Sequence, residues 1–251
     1  MTLENLIFVN GFAANQFILK NLLILFKEFY NVYLIDLPGF CNNNKIKQVD
    51  LEGITSYVDK EIKKLNIKNY IIMGLSLGHL VISKSDAVKK AKGILAVYPY
   101  LNAENLNLSK LQININIAIV KIILKTSAYN VAWNSGFVKK LMQLNKYNKR
   151  IINSIINNSD PKLFFETAYL LLTYNKKPKF YKKPYVLIIN YDDELINTKK
   201  IIPIFKENIN KLLVIKSNIP HTPKKLTKSY FQKSFTKQKI QKIQNFLKKN
   251  A

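Results

Sequence analysis

A serine bracketed by two glycines constrains this chain more than any other feature. Residues 74–78 read Gly-Leu-Ser-Leu-Gly and directly follow an apolar run at residues 70–73. This pattern predicts a strand, a sharp turn centred on Ser76 and then a helix. The backbone of the central serine is strained in such a turn, and side chains two residues to either side would clash. Because the chain contains only seven glycines, their presence at both positions indicates a structural requirement.

The rest of the chain alternates strand-like apolar runs with helical patterns. This alternation is typical of a parallel sheet whose strands are joined by crossover helices on both faces. The predicted strands are residues 6–10, 32–37, 70–73, 94–98, 185–190 and 212–216. Helices are predicted at residues 15–30, at 56–65 with a capping box from Ser56 to Asp59, and over the basic amphipathic stretch 230–249.

The alternation stops between residues 101 and 183, where only helical patterns occur. The candidates are residues 111–124, 138–144, 151–156 and 161–173. We therefore predict an α/β core formed by residues 1–100 and 184–251, with residues 101–183 inserted as a helical lid. Packing helices without a gating role are the alternative interpretation of this insert.

Composition limits the compartment and the cofactors. A single cysteine, Cys41, excludes an internal disulfide and a cysteine-rich metal site. With only two histidines, far apart in sequence, no metal or organic cofactor is expected. The chain shows no signal-peptide pattern, and no apolar stretch approaches the roughly 20 residues that span a bilayer. We expect a cytoplasmic protein without a transmembrane segment.

The formal net charge of +25 has two interpretations. Of the 40 basic residues only Arg150 is arginine, the side chain that reads base edges and binds phosphate bidentately, so nucleic acid is not an expected partner. The many lysines, spread along the chain beside Asn and Ile, fit an A/T-rich coding bias. They also fit a basic surface that docks an acidic carrier protein. The sequence does not set the oligomeric state.

Ser76 becomes a nucleophile only if a base removes its proton and a carboxylate orients that base. His79 lies on the predicted helix that leaves the turn, too close to Ser76 for a carboxylate-oriented contact, and we interpret it as a packing or polar helix residue. His221, in the loop after the last predicted strand, is the candidate base. The candidate carboxylates follow the strand before it and are Asp192, Asp193 and Glu194.

Taken in chain order, these features resemble the α/β-hydrolase superfamily over nearly the whole sequence. The resemblance rests on the loop at residues 10–12, the turn at residues 36–40, the nucleophile elbow at residues 74–78, the acids and His221. Within the superfamily, residues 37–40, the elbow, and Asp193 followed by Ile-Pro at residues 202–203 resemble the biotin-pathway esterases that demethylate a pimeloyl-carrier methyl ester.

The resemblance implies a serine hydrolase that cleaves a carboxylic ester or thioester through an acyl-enzyme. The family pattern after the preceding strand, with Asn190 at the turn-glycine position, selects Asp193 as the acid, and asparagine tolerates the left-handed conformation. It also implies an oxyanion hole formed by the backbone N–H groups of Phe12 and Leu77. Gly11 would let the first loop approach the substrate.

The substrate pocket is expected at Asn10 and Gly11 of the first loop and at Trp133 and Phe137 of the lid. Such lid aromatics favour an apolar acyl group, although their helical spacing also fits a core role. The substrate implied is a small acyl ester, with an ester on an acidic acyl-carrier protein as the form that the biotin-pathway resemblance indicates.

Four residues depart from the family pattern. Asn10 stands where histidine is usual, His79 where a second glycine follows the elbow, and Cys41 where a turn glycine is common. Pro220 stands where a small residue or glycine often precedes the histidine. A catalytically impaired hydrolase that binds an acidic partner is therefore the alternative function. Lipid hydrolysis at a membrane surface is a variant of the first hypothesis, and it requires the lid or the last helix to expose an apolar face.

Overall fold

The computed structural model describes residues 3–41, 46, 49–144 and 147–250. Within these ranges six strands form one parallel sheet in the order β2-β1-β3-β4-β5-β6. The strands are β1 (Glu4–Val9), β2 (Tyr30–Ile35), β3 (Tyr70–Leu75), β4 (Ile94–Val97), β5 (Tyr185–Ile189) and β6 (Leu212–Lys216). The predicted parallel α/β architecture is confirmed.

Helices cover both faces of the sheet, as its alternating apolar side chains require. Leu6 and Phe8 of β1 face one core layer, whereas Ile7 and Val9 face the other. The first layer is completed by α1 (Gln16–Lys27), α11 (Lys228–Gln232) and α12 (Lys237–Asn250). The second is completed by α2 (Leu51–Lys64), α3 (Leu77–Ile82), α4 (Ala87–Lys90) and α10 (Thr198–Asn208).

The segment between β4 and β5 is helical. It contains a 3₁₀ turn (Ala103–Asn105), α5 (Lys110–Lys125), α6 (Tyr129–Asn134), α7 (Phe137–Leu144), α8 (Lys149–Asn158) and α9 (Pro161–Thr173). Two isolated antiparallel bridges, Phe40 with Ser159 and Leu106 with Ile196, join this helical insert to the core. Helix α6 was not predicted from the sequence, and the division of the chain into a core and a lid stays a prediction.

The predicted capping box at Ser56 is wrong. Helix α2 begins earlier, and its cap is Asp50, whose Oδ1 accepts a hydrogen bond from Gly53 N at 2.7 Å. Ser56 therefore lies inside the helix. The carboxylate of Asp59 instead accepts hydrogen bonds from Ser85 Oγ and from Ala87 N, at the start of α4.

The predicted single helix over residues 230–249 is also wrong. The stretch is divided into α11 and α12 by residues 233–236. Ser234 is buried in this break, and its Oγ accepts a hydrogen bond from Asn218 N at 2.6 Å. The break thus fixes the loop that follows β6, a tertiary contact that helical periodicity does not reveal.

The strand order places a crevice beside β1. From β1 the chain moves to β2 at one edge and then returns to β3 on the other side of β1. Where strand order reverses in this way, loops leave the carboxyl ends of neighbouring strands on opposite faces and open a ligand-binding crevice. The loop at residues 10–12 and the turn at Ser76 are the two segments that flank this crevice. No described helix is long and apolar enough to cross a membrane.

Candidate active site

The turn after β3 has the strained geometry that the sequence predicts. Ser76 has φ 51° and ψ −117°, a conformation that side-chain-bearing residues rarely adopt. A Cβ added to Gly74 would lie 2.5 Å from the Cα of His79, and one added to Gly78 would lie 2.3 Å from the backbone oxygen of Asn10. Both contacts are with backbone atoms, so only glycine fits at these two positions.

His221 and Asp193 are brought together by the loops after β6 and β5. His221 Nδ1 lies 3.1 Å from Asp193 Oδ2, and the Asp193 side chain is fully buried. The other oxygen, Oδ1, accepts hydrogen bonds from Leu195 N at 2.8 Å and Ile196 N at 2.9 Å. With one oxygen held by backbone N–H groups, the second is directed at the imidazole, which can orient its ring and tautomer.

The two neighbouring acids occupy different positions. Asp192 is exposed, as a solvated loop acid would be. Glu194 is not simply a solvated acid, because its carboxylate accepts hydrogen bonds from His221 N at 3.3 Å and Thr222 N at 2.8 Å. Glu194 thereby ties the His221 loop to the Asp193 loop, a role that the sequence analysis missed.

The expectation that Asn190 is left-handed is wrong, because its φ is not positive. Asn190 shapes the turn through its side chain instead. Its Oδ1 accepts a hydrogen bond from Asp192 N at 3.1 Å, and its Nδ2 donates to Ile219 O at 3.2 Å. The amide therefore joins the loops that carry Asp193 and His221.

The two N–H groups predicted to form an oxyanion hole are available to a ligand. Neither Phe12 N nor Leu77 N donates a hydrogen bond to any described residue. Leu77 is the first residue of α3, so its N–H has no intrahelical acceptor. Gly11 lies against the elbow, where an added Cβ would be 2.9 Å from Leu75 O and 3.2 Å from the Cβ of Ser76.

Asn10 does not line the cavity, so its placement in the substrate pocket is corrected. It is fully buried behind the first loop. Its Nδ2 donates to Ala14 O at 3.1 Å and to the Asp36 carboxylate, and its Oδ1 accepts from Leu37 N at 3.0 Å. Asn10 therefore joins the ends of β1 and β2 and holds the loop that carries Gly11 and Phe12.

A cavity of about 600 Å³ opens between the sheet and the helical insert. Its lining includes Ser76, His221, Gly11, Phe12 and the predicted pocket residue Phe137, and most of its other walls are aliphatic or aromatic. Among the described residues no hydrogen bond joins the Ser76 and His221 side chains, although both reach this cavity.

Trp133 is absent from the cavity lining, so its predicted place in the substrate pocket is also wrong. Its ring packs edge-on against Phe164 and Phe165 at centroid distances of 5.1 and 6.5 Å. Its Nε1 donates to Ile156 O at 3.3 Å. Trp133 is thus part of the core of the insert. Phe164 and Phe165 extend from this cluster to the cavity, and Phe164 also contacts the ring of Phe12.

Tyr98 is a site residue that the sequence analysis did not identify. It follows β4 with φ 44°, so the strand ends one residue earlier than predicted. Its hydroxyl bonds to Ser217 Oγ and donates to Ile219 O at 3.0 Å, and its ring lies 5.4 Å from that of His221. The available signal was its position at the carboxyl end of a strand, where ligand-binding residues of parallel sheets collect.

Two ionisable groups, the buried His79 and the half-buried Asp36, lie behind the site. His79 is 1% exposed beneath the elbow, and burial lowers its pKa to about 4. Burial raises the pKa of Asp36 to about 6, with hydrogen bonds from Cys41 and Asn10 acting in the opposite direction. Neither side chain lines the cavity, so their titration concerns the folded state rather than the chemistry.

Replacing His79 with leucine is expected to change the pH dependence of stability. The unfolded histidine binds a proton below about pH 6.5, whereas the folded protein keeps the ring neutral to about pH 4. The contribution of His79 is therefore complete above pH 6.5 and falls as the pH drops toward 4. Between pH 7 and 4.5 the free energy of unfolding of wild type, relative to that of His79→Leu, should fall by about 2–3 kcal/mol, measured in urea.

Asp36→Asn supplies the opposite comparison. Folded Asp36 holds its proton to about pH 6, whereas the unfolded residue releases it near pH 4. Its stabilising contribution is present at low pH and is lost as the pH rises through 6. Relative to wild type, Asp36→Asn should therefore gain stability as the pH rises. Identical pH slopes for the two variants would contradict both assignments.

Comparison with known proteins identifies the fold. No family model matches the chain. An esterase from Thermogutta terrifontis superposes with a TM-score of 0.69 at 13% identity, covering 99% of this chain and 90% of that one. A hydrolase from Oleispira antarctica gives a TM-score of 0.71 at 14% identity, covering 96% and 91%. The chain has the α/β-hydrolase fold. MenH from S. aureus shares it with a TM-score of 0.62 at 17% identity, covering 99% and 95%.

One curated relative bears on the activity of this chain. The pimeloyl-[acyl-carrier protein] methyl ester esterase of Wigglesworthia glossinidia brevipalpis is 26% identical, and the match covers 87% of each chain. This relative supports the predicted class of enzyme, a carboxylic ester hydrolase, and the predicted resemblance to the biotin-pathway esterases.

Proposed function

We propose that this protein is a serine hydrolase that cleaves carboxylic esters through an acyl-enzyme. One observation carries the proposal. Ser76, held on a strained turn, opens onto the same apolar cavity as His221, and the imidazole of His221 lies 3.1 Å from the buried carboxylate of Asp193. This combination of nucleophile, base and orienting acid activates a serine.

Acylation begins when His221 Nε2 takes the proton of Ser76 Oγ, which attacks the acyl carbon of the ester. Asp193 holds the proton of the imidazole on Nδ1, so that Nε2 is free to accept. The negative charge that develops on the carbonyl oxygen is stabilised by the N–H groups of Phe12 and Leu77. The tetrahedral intermediate then collapses, the ester C–O bond breaks, and His221 protonates the departing alkoxide.

Deacylation repeats these steps with water. His221 removes a proton from a water molecule, whose oxygen attacks the acyl carbon attached to Ser76. The same N–H groups stabilise the second oxyanion, and collapse breaks the bond to Ser76 Oγ. His221 returns a proton to the serine, and the carboxylic acid leaves the cavity. The pre-formed turn and the Asp193 contacts hold these groups in place before the substrate binds.

The cavity supports an ester with an apolar acyl group. Its volume is that of a typical small-molecule site, and its walls are mainly aliphatic and aromatic, including Leu19, Leu22, Ile155 and Leu171. The name of the curated relative adds a methyl ester on an acyl-carrier protein as the first substrate to examine. A higher kcat/KM for the carrier-linked methyl ester than for the free one would support that assignment, whereas equal values would contradict it.

The triad is tested by Asp193→Asn. The asparagine oxygen can keep the hydrogen bonds from Leu195 N and Ile196 N, which leaves its NH₂ group facing His221 Nδ1. That NH₂ donates to Nδ1 and forces the ring proton onto Nε2, so that His221 no longer accepts the proton of Ser76. We expect kcat for a short p-nitrophenyl ester to fall by about 10³–10⁴-fold.

Asp192→Asn is the matched control, because it makes the same chemical change at the exposed neighbouring position. It should retain wild-type kcat, and both variants should unfold in urea near the wild-type midpoint. Equal activity of Asp193→Asn and Asp192→Asn would contradict the triad. A folded wild-type protein without turnover on any ester would favour the impaired binding protein instead.

A further inference from the structure

Helix α5 carries an apolar stripe on its solvent side. The stripe, here named the insert ridge, consists of Leu111, Ile115, Ile119 and Ile122, which are three or four positions apart and so share one face of the helix. Their exposed fractions range from 39% to 69%. On another face, Val120 and Ile123 are buried, and α5 packs against α9. The ridge is therefore apolar surface beyond what the fold itself requires.

The insert ridge is continuous with the cavity. Ile115 and Ile119 are exposed to solvent and also line the cavity, and the same is true of Phe137 and Leu141 on α7. Apolar side chains are thus shared by the outside of the insert and the space that Ser76 reaches, beside the polar Gln112 and Asn116 of α5, which also line the cavity. Exposed apolar patches of this kind mark interaction sites rather than ordinary surface.

The segment that carries the ridge is strongly basic. Residues 105–159 contain no Asp or Glu and have eight basic residues: Lys110, Lys121, Lys125, Lys139, Lys140, Lys146, Lys149 and Arg150. Lys110, Lys121 and Lys125 are exposed along one edge of α5. None of these three forms an ion pair with a residue that the structure describes. The ridge and its lysines therefore present apolar and positive surface together.

We propose that the insert ridge docks on the surface of an anionic lipid bilayer. A bilayer supplies negative headgroups for the lysines and, a few ångströms deeper, hydrocarbon for the four aliphatic side chains. Lysine is well suited to this edge, since its long stem lies along apolar surface while its ammonium group stays at the headgroups. An anionic bilayer therefore complements both the positive charge of the lysines and the apolar side chains of the insert ridge.

Two other occupants fit less well. A second copy of the chain would bring two acid-free basic segments together at the ridge, and their like charges oppose that contact. An acidic protein would match the lysines, but apolar groups on a protein surface are scattered among polar ones and rarely form the continuous hydrocarbon that a bilayer offers to a convex row of isoleucine and leucine side chains. An acidic protein and a second copy can be told apart from a bilayer by measurements of carrier-protein binding and of sedimentation.

Docking has a consequence for substrate entry, and this part rests on the proposed ester hydrolase. Because the ridge leads into the cavity, a docked enzyme would receive an ester with an apolar acyl chain directly from the bilayer. A soluble short-chain ester would enter from water and gain nothing from docking. The two kinds of ester therefore separate docking from chemistry.

The test is flotation of the full-length protein with vesicles of phosphatidylglycerol and phosphatidylcholine, compared with phosphatidylcholine alone. The variant is Leu111→Asp/Ile122→Asp, since both side chains are exposed and neither lines the cavity. Leu3→Asp is the control, because Leu3 is 43% exposed at the opposite end of the sheet. Ser76→Ala is included so that binding is measured without turnover.

We expect wild type, Leu3→Asp and Ser76→Ala to bind anionic vesicles, and the double variant to bind at least about tenfold more weakly. Hydrolysis of p-nitrophenyl acetate in solution should be the same in wild type and the double variant. In the double variant, hydrolysis of a long-chain ester embedded in the vesicles should fall in proportion to the loss of vesicle binding. If the enzyme hydrolyses no ester, the flotation result still decides the docking proposal.

Four results would overturn the proposal. Equal vesicle binding by wild type and the double variant would show that lysines alone attract the protein, and complete release of wild type by 0.5 M NaCl would show the same. If the double variant binds vesicles as wild type does but binds an acidic carrier protein more weakly, the ridge would be assigned to the carrier protein. A dimer in sedimentation that the double variant abolishes would assign it to a second copy.

Discussion

Ser76→Ala is expected to lower kcat for ester hydrolysis by about 10⁴–10⁶-fold, the range seen when the nucleophile of a serine triad is removed. Alanine offers no oxygen to attack the acyl carbon, so the covalent route is lost entirely. The residual rate would come from the oxyanion N–H groups and from binding in the cavity. The measurement is steady-state hydrolysis of a p-nitrophenyl ester, with the enzyme concentration fixed by absorbance.

The fold should survive this substitution. Serine and alanine both carry a Cβ, so the strain of φ 51° at residue 76 is the same in both proteins. No described residue forms a hydrogen bond with the Ser76 side chain, so none is lost. Ser135→Ala is the matched control, at an exposed serine on the insert. Full turnover by Ser76→Ala would contradict the assignment of the nucleophile.

Gly78→Ala is expected to have the largest effect on stability. The added Cβ would lie 2.3 Å from Asn10 O and 2.4 Å from Val9 O, closer than real contacts allow. These atoms belong to the end of β1, which is paired on both sides with β2 and β3 and cannot move away. Forcing the helix off the strand should lower the free energy of unfolding by about 3–5 kcal/mol, measured in urea.

Gly93→Ala is the comparison for this prediction. Its added Cβ would lie 2.6 Å from Leu247 Cδ2, the end of a flexible side chain, and 3.4 Å from Pro184 O. Leu247 can change rotamer, so the cost should stay near 1 kcal/mol, of the order of mild overpacking. Similar losses in the two variants would contradict the argument that backbone contact makes Gly78 irreplaceable.

The elements that the sequence predicts best are those set by local pattern. Strand β6 and helix α9 have the predicted bounds, because each is an apolar pattern ended by clear breaks in composition. The start of α2 was missed although Ile54 continues the buried face of Val58 and Ile62, because the cap, Asp50, lies a further turn before Ile54. The break between α11 and α12 depends on Ser234 reaching Asn218, a contact between distant parts of the chain.

In the candidate site, too, some positions could be predicted from local pattern and others could not. Ser76, Asp193 and His221 each follow a strand, and the carboxyl ends of parallel strands meet at one edge, so their convergence could be predicted. The inward or outward direction of Trp133 and Asn10 could not, because residue type does not fix which side of a helix or loop meets the cavity. Asn10 replaces the usual histidine, yet its three hydrogen bonds give it a structural role behind the loop.

The most direct test of the serine-hydrolase proposal is to map the site of fluorophosphonate labelling by mass spectrometry. Trypsin releases residues 69–84 between Lys68 and Lys84, and fragmentation of this peptide separates Ser76 from Ser83. We predict one adduct on Ser76 in the wild type, none in Ser76→Ala and slower labelling in His221→Ala. A folded wild-type protein that takes no label, or takes it at another residue, would contradict the proposal.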